Sequence, residues 1–162
     1  MATFALIHGG GGSAWDWHLV VPALEERGHD AVAVDLPSGT EAAGWRAYAG
    51  AVVEAVAGRR DGIDDVFYHD VPPQLAAEAK RRERDEAARA LREPWPLDAW
   101  PETPTRYLLC RDDRMFRPAW ARRHARERLG IEADEMDGGH YVSLSRPREL
   151  AERLDAYALR LR

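Results

Sequence analysis

The stretch Thr3-Phe4-Ala5-Leu6-Ile7-His8-Gly9-Gly10-Gly11-Gly12-Ser13 decides the fold. Its first five residues form a short apolar run that stops at His8 and passes into four consecutive glycines. An apolar run of this length bounded by glycine predicts a strand buried on both faces. Glycines accept positive φ, so the backbone can turn sharply here and aim its N–H groups at something negative. Trp17, Val20 or Val21, and Leu24 then recur at helical spacing, and Gly28 stands where a C-terminal cap belongs. Pro22 limits that helix to a start about one turn before it. Ala31 to Val34 predicts a second buried strand, closed by Asp35-Leu36-Pro37-Ser38-Gly39. A strand, a helix and a strand in this order give a parallel pair.

Composition narrows the class. With 162 residues, 45% hydrophobic and 31% charged, the chain is long enough for one core and short for two. A net charge of −5 without a basic face argues against nucleic acid as a partner. Lys80 is the only lysine among 23 basic residues, a bias that reflects genome base composition rather than chemistry. Cys110 is the only cysteine, so no internal disulfide can form, and no Cys/His cluster has metal-ligand spacing. Neither a metal nor another cofactor is expected. No apolar stretch approaches the ~20 residues needed to span a bilayer, and no basic region precedes the first apolar run. The expectation is a soluble cytoplasmic protein with no membrane partner.

Farther along, Trp45, Ala49, Val52, Val53 and Val56 predict a helix from Thr40 or Glu41 to Gly58 that covers one sheet face. Ile63 to Tyr68 is the next candidate strand, short and carrying two acids. Pro72-Pro73 opens a helix predicted from Gln74 to about Leu91, whose charge run from Lys80 to Glu86 reads as a solvated face. The Pro- and Trp-rich stretch from Pro94 to Pro104 returns to the sheet, either as plain packing or as part of a cap over a site. Arg106 to Cys110 predicts a strand, Trp120 to Leu129 a helix stopped by Gly130, and Ile131 to Met136 a weak strand. Leu150, Leu154, Tyr157 and Leu161 stripe a final helix. Functional groups of open α/β sheets gather at the carboxyl ends of strands, where Asp112, Asp113 and His140 all fall.

The glycine turn admits two readings. Gly9, Gly11 and Ala14 satisfy G-x-G-x-x-A after a strand, with Asp35 about 20 residues on, which is the dinucleotide-binding layout. That fingerprint opens a helix directly, whereas here Trp15-Asp16-Trp17 crowds the turn. More residues fit the other reading. His8-Gly9-Gly10, Ser13 and Trp17, Gly28-His29, and Val34-Asp35-Leu36-Pro37 resemble the amino-terminal signature of the α/β-hydrolase superfamily, in its branch of small esterases and hydroxynitrile lyases. The resemblance covers Thr3 to about Gly58 and, less sharply, Phe67 to Leu161. It implies an oxyanion-hole N–H at Gly10, with Gly11 and Ser13 beside it in the binding loop. It also implies that the acid after a late strand and the histidine of Gly138-Gly139-His140 are the orienting carboxylate and the catalytic base. Asp113, one residue deeper into the turn than Asp112, is the preferred carboxylate; Asp112 would then cap the turn or the following helix.

The departure from the family is equally informative. Its enzymes carry G-x-S-x-G on a strand-to-helix turn, and none of Ser13, Ser38, Ser143 or Ser145 lies in such a sequence. A strand, the nucleophile turn, a helix and a further strand are missing between about Arg60 and Asp65. The expected architecture is therefore one α/β domain over residues 1–162, a three-layer sandwich around a small, mostly parallel sheet with a helical cap segment. Its parts are a βαβα unit at 1–60, a cap-like segment at 63–104 and a strand-helix-strand-helix unit at 105–162. Closing the gap internally would set the Thr3–Ile7 strand beside the Arg106–Cys110 strand; the other route is strand pairing in a homodimer. Three functions follow from this reading: a weak or inactive esterase-like hydrolase of a small carbonyl substrate, a non-catalytic small-ligand binder, and a dinucleotide-binding protein.

Overall fold

The computed structural model describes residues 1–35, 65–83 and 103–160. Strand β1 spans Thr3–Ile7 and β2 spans Asp30–Val34. They pair in parallel with Thr3 opposite Asp30 and Ile7 opposite Val34. Between them lie a 3-10 turn, Ala14–Trp17, and the six-residue helix α1, Val20–Glu25. Pro22 sits in the first turn of α1, where its missing N–H costs nothing. Gly28 has φ +78°, the left-handed conformation expected of a helix-terminating glycine.

Helix α2 runs Pro73–Arg82 and stops as Glu83 leaves helical backbone, short of the predicted Leu91. Residues 65–67 are helical, not the strand expected over Ile63 to Tyr68, because the acids that mark this stretch suit an exposed helical turn better than a buried sheet. Strand β3, Leu108–Cys110, and β4, Asp134–Met136, form a second parallel pair, each shorter than predicted. Between them, helix α3, Pro118–His124, continues into a π-helical turn, Ala125–Leu129, and ends at Gly130 with φ +66°. A short helix α4, Val142–Ser145, which the pattern did not single out, leads into α5, Pro147–Arg160. The predicted helix at 40–58, the Pro/Trp segment at 94–102, Ser38 and Leu161 lie outside the described residues.

Among the described residues the strands form two separate two-stranded ladders, β1-β2 and β3-β4, and β1 does not pair with β3. One core nevertheless serves both. Leu6 of β1, Val20, Ala23 and Leu24 of α1, Met136 of β4, and Leu150 and Ala151 of α5 form one buried cluster, with Leu108 and Cys110 of β3 against it. Helices α1 and α5 thus bury the same face of both ladders. The other face of β1-β2 shows Ile7 at 58% and Val32 at 57% exposure. A second cluster joins Tyr68, Val71, Ala76 and Ala79 to Leu144, with Trp15 and Tyr141 at its margin. It fixes the 65–71 segment and α2 against the turn that follows the glycines.

His29 locks the amino-terminal ladder to α5. Its Nδ1 accepts the Ala2 N–H at 3.1 Å, which leaves Nε2 to donate to Asp155 Oδ1 at 2.9 Å. Arg27 adds a bond to Glu152 on the same helix at 3.0 Å.

Candidate functional site

Two loop systems converge at the carboxyl ends of the strands. After β1, the Gly12 N–H donates to the Gly9 carbonyl at 3.2 Å, and Gly11 takes φ +76° to complete the turn. A Cβ at Gly12 would lie 2.2 Å from Asp16 Oδ2, so a side chain there would displace that carboxylate. That same carboxylate oxygen accepts the Ser13 N–H at 3.2 Å. Burial pushes the Asp16 carboxyl above the ordinary range, against the Ser13 N–H and the nearby His8 and His18, which pull it down. Ser13 is therefore buried with its N–H committed, whereas Gly10 is exposed, and neither Gly10 nor Gly11 spends its N–H on a partner among the described residues. His8, also buried, donates from Nδ1 to the Gly9 carbonyl at 2.8 Å, and its Nε2 lies 3.9 Å from Asp35 Oδ1.

The glycines lead into a 3-10 turn, and the first α-helix opens only at Val20. No helix N-terminus therefore stands at the glycines, as binding of a pyrophosphate would need. Asp35 Oδ1 accepts the Ala14 N–H at 3.2 Å and is spent on the loop itself.

The second system comes from the ends of β3 and β4. Asp112 grips the opposite loop twice: its N–H donates to the Gly138 carbonyl at 3.0 Å, and its Oδ2 accepts the Gly138 N–H at 3.1 Å. Gly138, at φ +130°, adopts a conformation that a side chain resists. With the loops pinned, Asp113 Oδ2 meets His140 Nδ1 at 3.1 Å. Asp113 Oδ1 accepts the N–H groups of Met115 and Phe116 at 2.8 and 2.9 Å. The pair is shielded, with side chains 12% and 23% exposed. Burial alone would push the Asp113 carboxyl up, but the bond from His140 and the two N–H donors outweigh it and hold it below the usual carboxylate range.

A carboxylate only accepts, so His140 Nδ1 carries the hydrogen, and in the neutral ring Nε2 is the nitrogen with the lone pair. Among the described residues nothing hydrogen-bonds to that Nε2, and no hydrogen bond joins His140 to a serine. Phe67, Phe116 and Tyr141 surround the ring at centroid distances of 5.0, 5.4 and 5.7 Å. Such an imidazole, oriented on one side and open on the other, can take a proton. Cys110 is no substitute nucleophile: burial first, then the nearby Asp113, Asp70 and Asp112 carboxylates, push its thiol up to about 12.

The structure thus brings Asp113 and His140 together and gives Asp112 a bridging role between loops in place of a helix cap. The glycine turn stands at the same end, since the 3-10 turn that follows it packs on α4, just after His140. Sequence reasoning missed His69 and Asp70. The His69 ring reaches the Asp112 carbonyl with Nε2 at 2.9 Å, and Asp70 Oδ2 accepts the Gly139 N–H at 2.7 Å. A His-Asp pair set just before Pro72-Pro73, directly after the stretch read as a strand, was the available signal. Among the described residues no group of three or more side chains could hold a metal ion, and no helix is long and apolar enough to cross a membrane.

Parallel strands, helices packed on them, and a glycine turn, an acid and a histidine at the strand ends define an α/β protein with a hydrolase-like site layout. The profile of the alpha/beta hydrolase family matches residues 57–153, more than half of the chain, and the protein belongs to that family. Its fold is shared with solved esterase structures at low identity. A methylesterase from Arabidopsis superposes with a TM-score of 0.77 at 14% identity, covering 98% of this chain and 99% of the other. Polyneuridine aldehyde esterase gives 0.73 at 16% identity over the same shares. Tomato methylketone synthase I, in complex with 2-tridecanone, gives 0.74 at 13% identity, covering 99% of both chains. A comparison with curated protein sequences finds no match.

Proposed function

We propose that this chain is an esterase-like member of the α/β-hydrolase family that acts on a small carbonyl compound by general-base chemistry, without an acyl-enzyme. The observation that carries the reading is the 3.1 Å contact between His140 Nδ1 and a carboxylate already fixed by two backbone N–H groups. It supplies an oriented base. No G-x-S-x-G turn occurs in the sequence to supply the hydroxyl such a base would activate. The esterases that share the fold support the choice of a small carbonyl substrate.

In this reading a proton leaves the carbon next to the substrate carbonyl, or a water attacking it, and goes to His140 Nε2. The imidazolium so formed is stabilised by Asp113, and the developing oxyanion is met by the N–H groups of Gly10 and Gly11. The proton then returns to the product.

Two assays test the proposal. Hydrolysis of activated aryl esters is expected near background, because a serine hydrolase that loses its nucleophile drops by about 10⁶ in turnover. Solvent deuterium exchange into a small ketone or β-keto ester is expected to exceed background, to vanish in His140→Ala and to survive in Ser13→Ala. Ester turnover in the ordinary enzyme range of ~1 to 10³ per second would overturn the proposal by requiring a nucleophile. Exchange that persists in His140→Ala would remove His140 from the chemistry.

A further inference from the structure

We infer that His69 and Asp70 form a strap that positions the His140 ring, each holding the residue immediately before one member of the pair. His69 Nε2 donates to the carbonyl of Asp112, the peptide group that leads into Asp113. Asp70 Oδ2 accepts the N–H of Gly139, the residue before His140. These bonds span 43 and 69 residues of sequence, so they are tertiary contacts and not local turn chemistry.

The packing around them is close. A Cβ on Gly139 would lie 2.4 Å from His69 Cε1 and 2.5 Å from Asp70 Oδ1, so a side chain there would displace the strap. The remaining atoms of the strap, His69 Nδ1 and Asp70 Oδ1, are buried without a hydrogen-bond partner among the described residues and lie 3.5 Å apart. Buried polar atoms left in this state are uncommon in folded proteins and mark a constrained arrangement. The segment that carries the strap is itself anchored: Tyr68 stacks on Tyr141 at 4.8 Å with ring planes 4° apart, and its hydroxyl donates to Glu83 at 2.8 Å. Phe67 meets the His140 ring edge-to-face at 5.0 Å. The 67–71 segment therefore touches the imidazole, the loop before it and the loop that bears its carboxylate.

The Asp112–Gly138 bonds already join the two loops. What the strap adds is the orientation of the Gly139 peptide, and through it the direction in which the His140 ring leaves the backbone. Small misplacements of a reacting group cost roughly 10²-fold in rate. His69 and Asp70 are thus positioning residues, not catalytic ones.

The kinetic arm of the test rests on the reading of His140 as a base; the spectroscopic arm does not. Ring-nitrogen NMR of His140 in the whole chain reports its tautomer, and thermal melts report folding. The native chain is expected to show the single Nδ1–H tautomer. Asp70→Ala and His69→Ala are expected to melt cooperatively yet lose the single-tautomer signature, with deuterium exchange down roughly 10²-fold. Asp70→Asn keeps an oxygen for the Gly139 N–H, and His69→Gln keeps a donor for the Asp112 carbonyl; both are expected to restore the native signature. An unchanged signature in a folded Asp70→Ala chain overturns the inference, as does equal loss in Asp70→Asn and Asp70→Ala. If Asp70→Ala does not fold, the contrast of His69→Ala with His69→Gln decides on the same readout. No exchange in the native chain, with the tautomer responses as stated, would sink the base reading and leave the strap in place.

Discussion

Replacing Asp113 by Asn isolates what the carboxylate does. The amide is the same size, and its oxygen can still accept the Met115 and Phe116 N–H groups at 2.8 and 2.9 Å. Its NH2 group then faces His140 Nδ1 across 3.1 Å and can only donate. The imidazole must answer with the other tautomer, placing its hydrogen on Nε2, the atom that receives the proton in the proposed reaction. The corresponding exchange in a Ser-His-Asp triad costs about 10⁴ in turnover. In the proposed reaction the base acts without a serine, and a positioned general base contributes ~10² to 10⁴-fold, so loss of solvent deuterium exchange to background is expected.

Stability shifts in a stated direction with pH. Because the folded structure holds the Asp113 carboxyl below its ordinary range, its contribution is present above the unfolded value of about 3.9 and is lost as pH falls through the folded one. The bonds to a charged acceptor are worth about 1.5–3 kcal/mol where shielded. At neutral pH the native chain should exceed Asp113→Asn by an amount of that order, and the difference should close in strong acid. Urea melts at several pH values and ring-nitrogen NMR measure both effects. A variant that keeps the Nδ1–H tautomer and full exchange would refute the account, and so would a stability gap that grows on acidification.

Two further perturbations probe the scaffold. Leu24 is fully buried in the cluster that joins α1, α5 and both ladders, so Leu24→Ala should lower unfolding free energy by about 2–5 kcal/mol in a denaturant titration. A loss below ~1 kcal/mol would mean that this core does not carry the fold. The β1-β2 and β3-β4 ladders share no hydrogen bonds among the described residues, so light scattering is expected to show a homodimer that completes the sheet. A stable monomer with a high melting temperature would show that the chain satisfies its strands alone.

Much of the architecture was legible in local pattern. The apolar run Thr3–Ile7, the glycines, Pro22 and Gly28 each carry a backbone preference that acts within a few residues, so β1, the turn, α1 and β2 appear almost where the pattern puts them. Asp112, Asp113 and His140 could be placed at strand ends because parallel α/β topology sends every strand's carboxyl end to one side. The choice between the two aspartates was a matter of one residue's depth in a turn. In the structure the Asp112–Gly138 bonds set the loops, and Asp113 is the aspartate that meets the imidazole.

The stretch Ile63 to Tyr68, expected as a strand, is helical at residues 65–67. Phe67 and Tyr68 pack on His140 and Tyr141, partners about seventy residues away that no local period can reveal. The pairing of the ladders was open for the same reason. Hydrogen bonding between strands depends on which elements meet in space, and no local pattern in the chain signals how the two ladders are to be joined. Sequence alone determined the elements, the family resemblance and the residue types at the site. Tertiary structure decided which side chains touch, because those contacts are set by packing over long separations and not by the conformational preferences of neighbouring residues.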